Sequence, residues 1–208
     1  RILLVLRTKS NLVINHKTVQ KLMKELNLAC KIRIKKYKSY KGEFGKTTKN
    51  LLLDKEVDEI NHKTKYVRNF TTSSSNEKWV TDVTEFKVCG TKIYLSPIID
   101  LHDKSIVSYC VSTIPNLKLV MDMLNKAIGN NKVHNLILHS DQGWQYQHIK
   151  FQTALKDKGI QQSMSRKGNC LDNSLAENFF SQLKAEFYYL EKFKTIDEFI
   201  TKLEEYMK

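Results

Sequence analysis

The sequence predicts an α/β fold: a mixed five-stranded sheet in the order β-β-β-α-β-α-β-α, flanked by helices and preceded by a small helical, helix-turn-helix-like segment. Three observations predict it. Residues 79–112 divide into three strand-like runs joined by short turns, which is a meander. From Leu117 onward, helically spaced stretches alternate with short apolar runs, the pattern of crossover units over a sheet. Ahead of both lie two short amphipathic stretches around Asn11 to Asn15.

The chain has 208 residues, enough for one good core and a small appendage. Its charge is uneven. Residues 1–78 hold 19 Lys and Arg against 7 Asp and Glu, while residues 79–208 hold 16 against 15, giving the overall +13. A basic arm beside a near-neutral domain points to a polyanion, and nucleic acid fits better than a membrane surface because the arm has few bulky apolar anchors. No apolar run approaches the ~18 residues of a membrane span. Cys30, Cys89, Cys110 and Cys170 are scattered, with no C-x-x-C pair, so a zinc ribbon or redox motif is not indicated and a cytoplasmic, reducing setting fits. The chain opens on Arg1 and stops inside a helical pattern, so a longer parent protein is expected.

Taken in order, residues 1–9 read as the tail of a helix. Asn15 then caps a second one, with Val19, Leu22, Met23, Leu26 and Leu28 as its apolar face. Such a pair reads equally as a DNA-reading motif or a plain helical hairpin. Residues 31–50 are dense in Lys with Tyr37, Tyr40 and Phe44 interleaved, suited to phosphates and bases or to a solvated linker. A short helix is expected over 51–64, and TTSSSNEK at 71–78 reads as a linker. The division is thus 1–50 for a basic DNA-binding segment, 51–78 for a linker, and 79–208 for a catalytic-type core.

In the core, 79–88, 92–101 and 106–112 are the meander strands, and Pro97 marks a bulge or an edge in the second. Leu117 to Ile128 is helical, 135–140 a buried strand, 148–158 a helix and 160–165 a last strand. Leu175, Phe179, Leu183, Phe187 and Leu190 then form one helical stripe, with Glu177, Ser181 and Lys184 on another face. Asp172, Asn173 and Ser174 are candidate N-caps, and Ser174 with Glu177 also fits a capping box, which would make that glutamate structural.

Two further carboxylates stand out. Asp82 lies mid-strand between Val80 and Thr84, where an acid is unfavourable unless paired or bound to a cation. Asp141 directly follows the buried strand, at the carboxyl end where ligand sites gather. Two acids from strands and one from a helix make a hard oxygen site suited to a pair of magnesium or manganese ions. Among lesser candidates, His139 shares Asp141's strand face, Trp144 and Tyr146 would stack on bases or cap a core, Asp100 serves a turn, and Glu85 points away from Asp82.

The blocks WVTDVTEF, HSDQGWQY and SMSRKGNCLDNSLAENFFSQLKAE resemble the three motifs of insertion-sequence transposases of the second-reading-frame type, within the retroviral-integrase superfamily. The resemblance covers about 79–190, more weakly 1–50, and implies an RNase H-like fold. It implies Asp82, Asp141 and Glu177 as catalytic, metal-holding residues, the last two separated by the family's 35-residue interval. It places Lys184 against DNA near the reacting end, and the adjacent loop cations Arg166 and Lys167 are expected as further backbone contacts. The activity it implies is metal-dependent nicking of transposon ends and strand transfer into target DNA. It also implies a homo-oligomer on DNA, an upstream-frame fusion partner, and a bacterial, nucleoid-associated setting. The family's Y-N-x-x-R-x-H segment beyond the core is not in this chain. A non-catalytic DNA-binding competitor and an RNase H-type nuclease share enough of this logic to stand as alternatives.

Overall fold

A computed structural model of the chain describes residues 2–10, 12–28, 45–58, 63–130, 133 and 135–207. Most of the lysine-rich, aromatic-interleaved stretch, 31–44, lies outside the described residues. Two compact units form, Arg1–Lys36 and Tyr37–Lys208. The first holds helices α1 (Ile2–Ser10) and α2 (His16–Glu25). Asn15 caps α2 as its position suggested, its side chain accepting a hydrogen bond from the Lys17 amide at 2.9 Å.

The second unit departs from expectation at its start. Strands β1 (Leu53–Asp58) and β2 (Lys63–Arg68) form an antiparallel hairpin where a short helix was expected over 51–64. Its register sets Leu53 against Arg68, Asp54 against Val67 and Lys55 against Tyr66, partners too far apart in sequence for a helical pattern to show. The stretch read as a linker is tied down: the Asn76 amide donates to Asp100 at 2.7 Å, and Lys78 Nζ to the Thr71 carbonyl at 2.8 Å. Asp100 also accepts from the His102 amide, the turn role its position implied.

The main sheet has six strands: β3 (Lys78–Thr81), β4 (Thr84–Val88), β5 (Thr91–Asp100), β6 (Ile106–Ser112), β7 (Ile137–Ser140) and β8 (Gln161–Met164). Their order is β4-β5-β3-β7-β8, with β6 also paired to β5. The sixth strand arises because the single strand expected over 79–88 is broken. Thr81 faces Ile98 and Thr84 faces Leu95, so one register continues across the gap and brings Asp82 opposite Pro97, which has no N–H to donate. Pro97 is not on an edge, since β5 has neighbours on both sides, but the register with β6 does shift at Ile98/Ile99, as a bulge requires.

Helices α3 (Leu117–Asn130), α4 (Trp144–Gln147) and α5 (Ile149–Asp157) are associated with one face of the sheet, where Trp79 and Leu138 are buried with Val120, Met123, Leu124, Phe151 and Leu155. Helices α6 (Ser174–Leu183) and α7 (Ile196–Tyr206) cover the other. There Phe86, Ile93 and Leu95 bury Leu183, Phe187, Phe199 and Leu203, and Val80, Ile99 and Leu52 bury Ala176. The buried stripe of α6 runs through Ala176, Phe180 and Leu183 to Phe187, one residue on from the expected Leu175 and Phe179 at its start, and Leu190 is exposed. The small Ala176 lets the helix start sit close on Val80. From Lys184 to Tyr188 the helix widens into a π turn, so the regular stripe ends there.

What holds the start of α6 is Asp172, in a 3₁₀ turn at Cys170–Asn173. Its side chain is wholly inaccessible to solvent. It accepts bonds from Arg68 Nε (2.9 Å), from the Arg166 amide (3.1 Å), Nε (2.9 Å) and guanidinium terminus (3.0 Å), and from the Asn50 amide group (3.1 Å). Burial alone would raise this carboxyl; the bonds from Arg166 and Arg68 overcome that and hold it down to about 2. A value below the ordinary 3.8 means stability that is complete above that pH and lost as pH falls toward 2. Urea unfolding followed from about pH 5 to about pH 2.5 should therefore lose roughly 1–2 kcal/mol through this group. Asp172→Asn should lack that loss and be less stable by about 2 kcal/mol near neutrality; an unchanged acid profile in the variant would contradict the assignment.

Candidate active site

The sheet brings the two aspartates together by register. Strands β3 and β7 are parallel neighbours in which Val80 faces His139. Two residues further along each strand stand Asp82 and Asp141, at matched positions past the carboxyl ends and on one face. Adjacent strands lie about 4.8 Å apart, so the two acids leave the sheet side by side. Asp82 sits in the break between β3 and β4, and its Oδ1 accepts the Val83 amide at 2.7 Å. Asp141 Oδ1 accepts the Gly143 amide at 2.9 Å. A Cβ on Gly143 would stand 2.9 Å from the same Asp141 oxygen and 2.9 Å from Gln145 Nε2, so both side chains would have to shift to admit it.

Glu177 approaches from α6. Ser174 is the first residue of that helix rather than its cap, so the capping box is not formed, and Asn173 at the cap position makes no side-chain cap bond. Glu177 thus lies one turn into the helix, next to the buried Ala176 that packs with Val80. All three acids are half-buried, reachable from solvent yet poorly hydrated.

Their charges register one another. Asp82 is pushed well above the usual carboxylate range, first by burial, then by Asp141 and Glu177, against the opposing pull of the Val83 amide and Lys184. Burial raises Asp141 too, opposed by the Gly143 amide, and burial with the charge of Asp141 raises Glu177. Among the described residues, however, no three His, Cys, Asp or Glu side chains are gathered tightly enough to hold a metal ion. The carboxylates share a neighbourhood rather than a closed cage. Their chemistry nevertheless fits divalent cations: the donors are all oxygen, and each is destabilised as an anion where it stands.

Lys184, the first residue of the π turn, has its ammonium 5.4 Å from the Phe86 ring centroid. Burial lowers its pKa, opposed by the nearby charges of Glu85 and Asp82. Its side of the helix is therefore the one the spacing assigned. Glu85 is exposed and pairs with Lys92 at 3.0 Å.

Other candidates have protein partners. Arg166, expected on a DNA backbone, is engaged by Asp172 and lies 5.8 Å from the Tyr66 ring. Lys167 is exposed beside it. His139 is sealed in the sheet between two serines, Nδ1 at 2.8 Å from Ser163 Oγ and Nε2 at 3.1 Å from Ser165 Oγ. The Leu51 amide donates to Ser163 Oγ, and Ser165 Oγ donates to the Ser140 carbonyl. One chain of donors satisfies all of these if Nε2 carries the proton, and burial lowers the pKa of the ring to about 4. His139 is a neutral structural brace. Tyr146 is wholly buried, its hydroxyl 3.4 Å from Thr81 Oγ1, and cannot stack on a base; Trp144 is 40% exposed. Sequence reasoning missed Asp172 as a hub and Gly143 as a spacer. The close D-x-G spacing from Asp141 to Gly143 was the one available signal for the latter.

The profile of the integrase core domain family matches residues 72–170. The chain is 47% identical over 196 residues to the putative transposase InsK for insertion sequence element IS150 of Escherichia coli (strain K12), covering 94% of this chain and 64% of that protein. It is 44% identical over 201 residues to an uncharacterized transposase-like protein of Haemophilus influenzae, covering 97% and 87%. The chain thus spans just under two thirds of the first of these relatives. In fold it is similar to a chain of the simian T-cell lymphotropic virus intasome in complex with PP2A regulatory subunit B56 gamma, with a TM-score of 0.51 and 18% identity over 89% of this chain and 59% of that one. No described helix is long and apolar enough to cross a membrane.

Replacing Gly143 by Ala tests the site's geometry. The backbone there, at φ −59°, accepts alanine, so stability should change by less than about 1 kcal/mol. The new Cβ displaces the Asp141 carboxylate, and any metal-dependent activity of the full protein should fall roughly 10²-fold. Unchanged activity would mean that the position of Asp141 does not matter.

Proposed function

This chain belongs to the insertion-sequence transposases with an integrase core domain, and we propose that it carries the catalytic core of a DNA transposase. On this reading Asp82, Asp141 and Glu177 are the catalytic carboxylates. The observation that carries it is the parallel register that aligns Asp82 with Asp141 beneath the helix bearing Glu177. The substrates are transposon ends and target DNA, and the working form is a multimer on DNA, produced with or beside an upstream-frame partner.

The three carboxylates would hold divalent cations, two magnesium or manganese ions on the family's pattern. When bound, these supply Lewis acidity, activating water and neutralising the phosphate oxygens. The first step is hydrolysis: a water oxygen bonds to phosphorus, the bond to the 3′ oxygen breaks, and a 3′ hydroxyl is freed. In the second, that hydroxyl attacks a target phosphodiester and displaces its 3′ oxygen. Around these steps the chain's own residues position and exclude. Lys184, held beside Phe86, offers a cation to the DNA backbone near the carboxylates, and Lys167 offers another from the loop before α6. Arg166, paired with Asp172, fixes that loop and reaches DNA only through its exposed edge. Exposed Trp144, three residues past Asp141, is placed to stack on an unpaired base. The near-neutral core leaves most of the attraction for DNA to the basic segment, residues 1–50 in the proposed division.

Glu177→Gln keeps the size of the side chain and removes its charge. In the full-length protein it should reduce magnesium-dependent joining of transposon-end oligonucleotides at least about 10²-fold while leaving end binding and its salt dependence intact. Full joining by the variant would refute the assignment. Binding with a steep salt dependence and no product from the unmodified protein would turn the reading toward a DNA-binding competitor.

A further inference from the structure

We propose that Asn173 is a positioning residue, a brace that sets how far the helix carrying Glu177 stands from the strand carrying Asp82. The inference rests on the carboxylate reading above. The Asn173 side chain is buried, 3% exposed, and its Nδ2 donates to the Thr81 carbonyl at 3.4 Å. That carbonyl belongs to the peptide leading directly into Asp82. Thr81 is itself fixed, its hydroxyl donating to the Pro97 carbonyl at 2.8 Å on the neighbouring strand. Asn173 directly precedes the first residue of the helix, and Glu177 lies in that helix's first turn. One long bond thus links the base of one acid to the start of the helix that carries another.

The residue's behaviour separates this role from helix capping. Asn173 occupies the N-cap position, where an asparagine oxygen ordinarily accepts from the free amides of the first turn. Here it makes no cap bond. Its amide group turns to the strand instead, and its buried Oδ1 receives no hydrogen bond from any described protein group. A buried acceptor left in this way is unfavourable, and the bond made in exchange is long. Stability alone does not explain the choice of asparagine. Its neighbour Asp172 completes the brace, since it anchors the same turn to Arg68 and Arg166. The dipeptide therefore grips the hairpin side with one residue and the Asp82 strand with the other.

The test is Asn173→Ser in the full-length protein, with Asn173→Ala as a second variant and Glu177→Gln as a control. Serine ranks with asparagine as an N-cap but is too short to reach Thr81. The thermal unfolding midpoint of Asn173→Ser should stay within about 2 °C of the unmodified protein. Binding of manganese to the DNA-free protein, read by its paramagnetic signal, should weaken about 10-fold or more, and the magnesium needed for half-maximal joining should rise by a similar factor. Asn173→Ala should show the same metal shifts with a slightly lower midpoint. Two results overturn the brace: unchanged metal binding and joining in Asn173→Ser while Glu177→Gln is inactive, or losses in both variants that follow their unfolding midpoints. If Glu177→Gln joins ends normally, the carboxylate reading itself falls and takes the brace with it.

Discussion

The pairing of β3 with β7 fixes where two of the three candidate carboxylates stand. Once Val80 faces His139 in parallel register, Asp82 and Asp141 must emerge together. Two ionised carboxylates a strand spacing apart repel by about 3 kcal/mol at an effective dielectric of 20. The sheet holds them there because the same register buries Trp79 against Leu138 and sets Val80 beside the sealed His139. Each buried side chain of this kind contributes about 1.5–3 kcal/mol, so a few such positions outweigh the repulsion. Burial raises the pKa of both acids, and for Asp82 the charges of Asp141 and Glu177 raise it further. A fold that gained only stability from this arrangement would not keep acids at both positions.

The third acid is held by different means. Helix α6 lies across the sheet, and nothing in its apolar stripe fixes its position along the strands to within an ångström. Two features do. Ala176 permits close approach to Val80, and Asp172 ties the turn ahead of the helix to Arg166 just before it and to Arg68 and Asn50 from distant parts of the chain. Arg166 meets the carboxylate with two side-chain bonds at once, which fixes angle as well as distance, and Arg68 adds a single bond from Nε. Arg166 is therefore better understood as part of the site's frame than as one of its hands.

Much of this was legible in the sequence, and the gaps have physical causes. The alternation of 79–112, the crossover pattern after Leu117 and the face shared by Glu177 and Lys184 all follow from local periodicity, which a single chain displays. The fold class and its integrase-like identity came from that and from three spaced motifs. The hairpin at 53–68 was misread because its pairing, Leu53 with Arg68 and Asp54 with Val67, lies across a ladder rather than along a helix. The break at Asp82 was hidden because its cause, Pro97, lies on another strand. Asp172 looked like a helix cap because two of its partners, Arg68 and Asn50, are 104 and 122 residues away in sequence, a separation no local pattern encodes.

Charge distribution links the site to the rest of the chain. Three acids and Lys184 leave the site's neighbourhood with an excess of negative charge, which by itself repels a phosphodiester. The core, residues 79–208, carries a net charge of only +1, too little to reverse that field at its surface. If a DNA backbone is to enter, the repulsion must be cancelled locally by cations between the carboxylates, while the attraction over longer range comes from the +12 concentrated in residues 1–78. Under that arrangement binding and chemistry respond to different variables. Added monovalent salt screens the basic segment and weakens capture, whereas divalent metal acts on the acids and decides whether captured DNA can react. On the proposed reading, such a protein would hold DNA at low salt and leave it uncut until divalent metal is supplied.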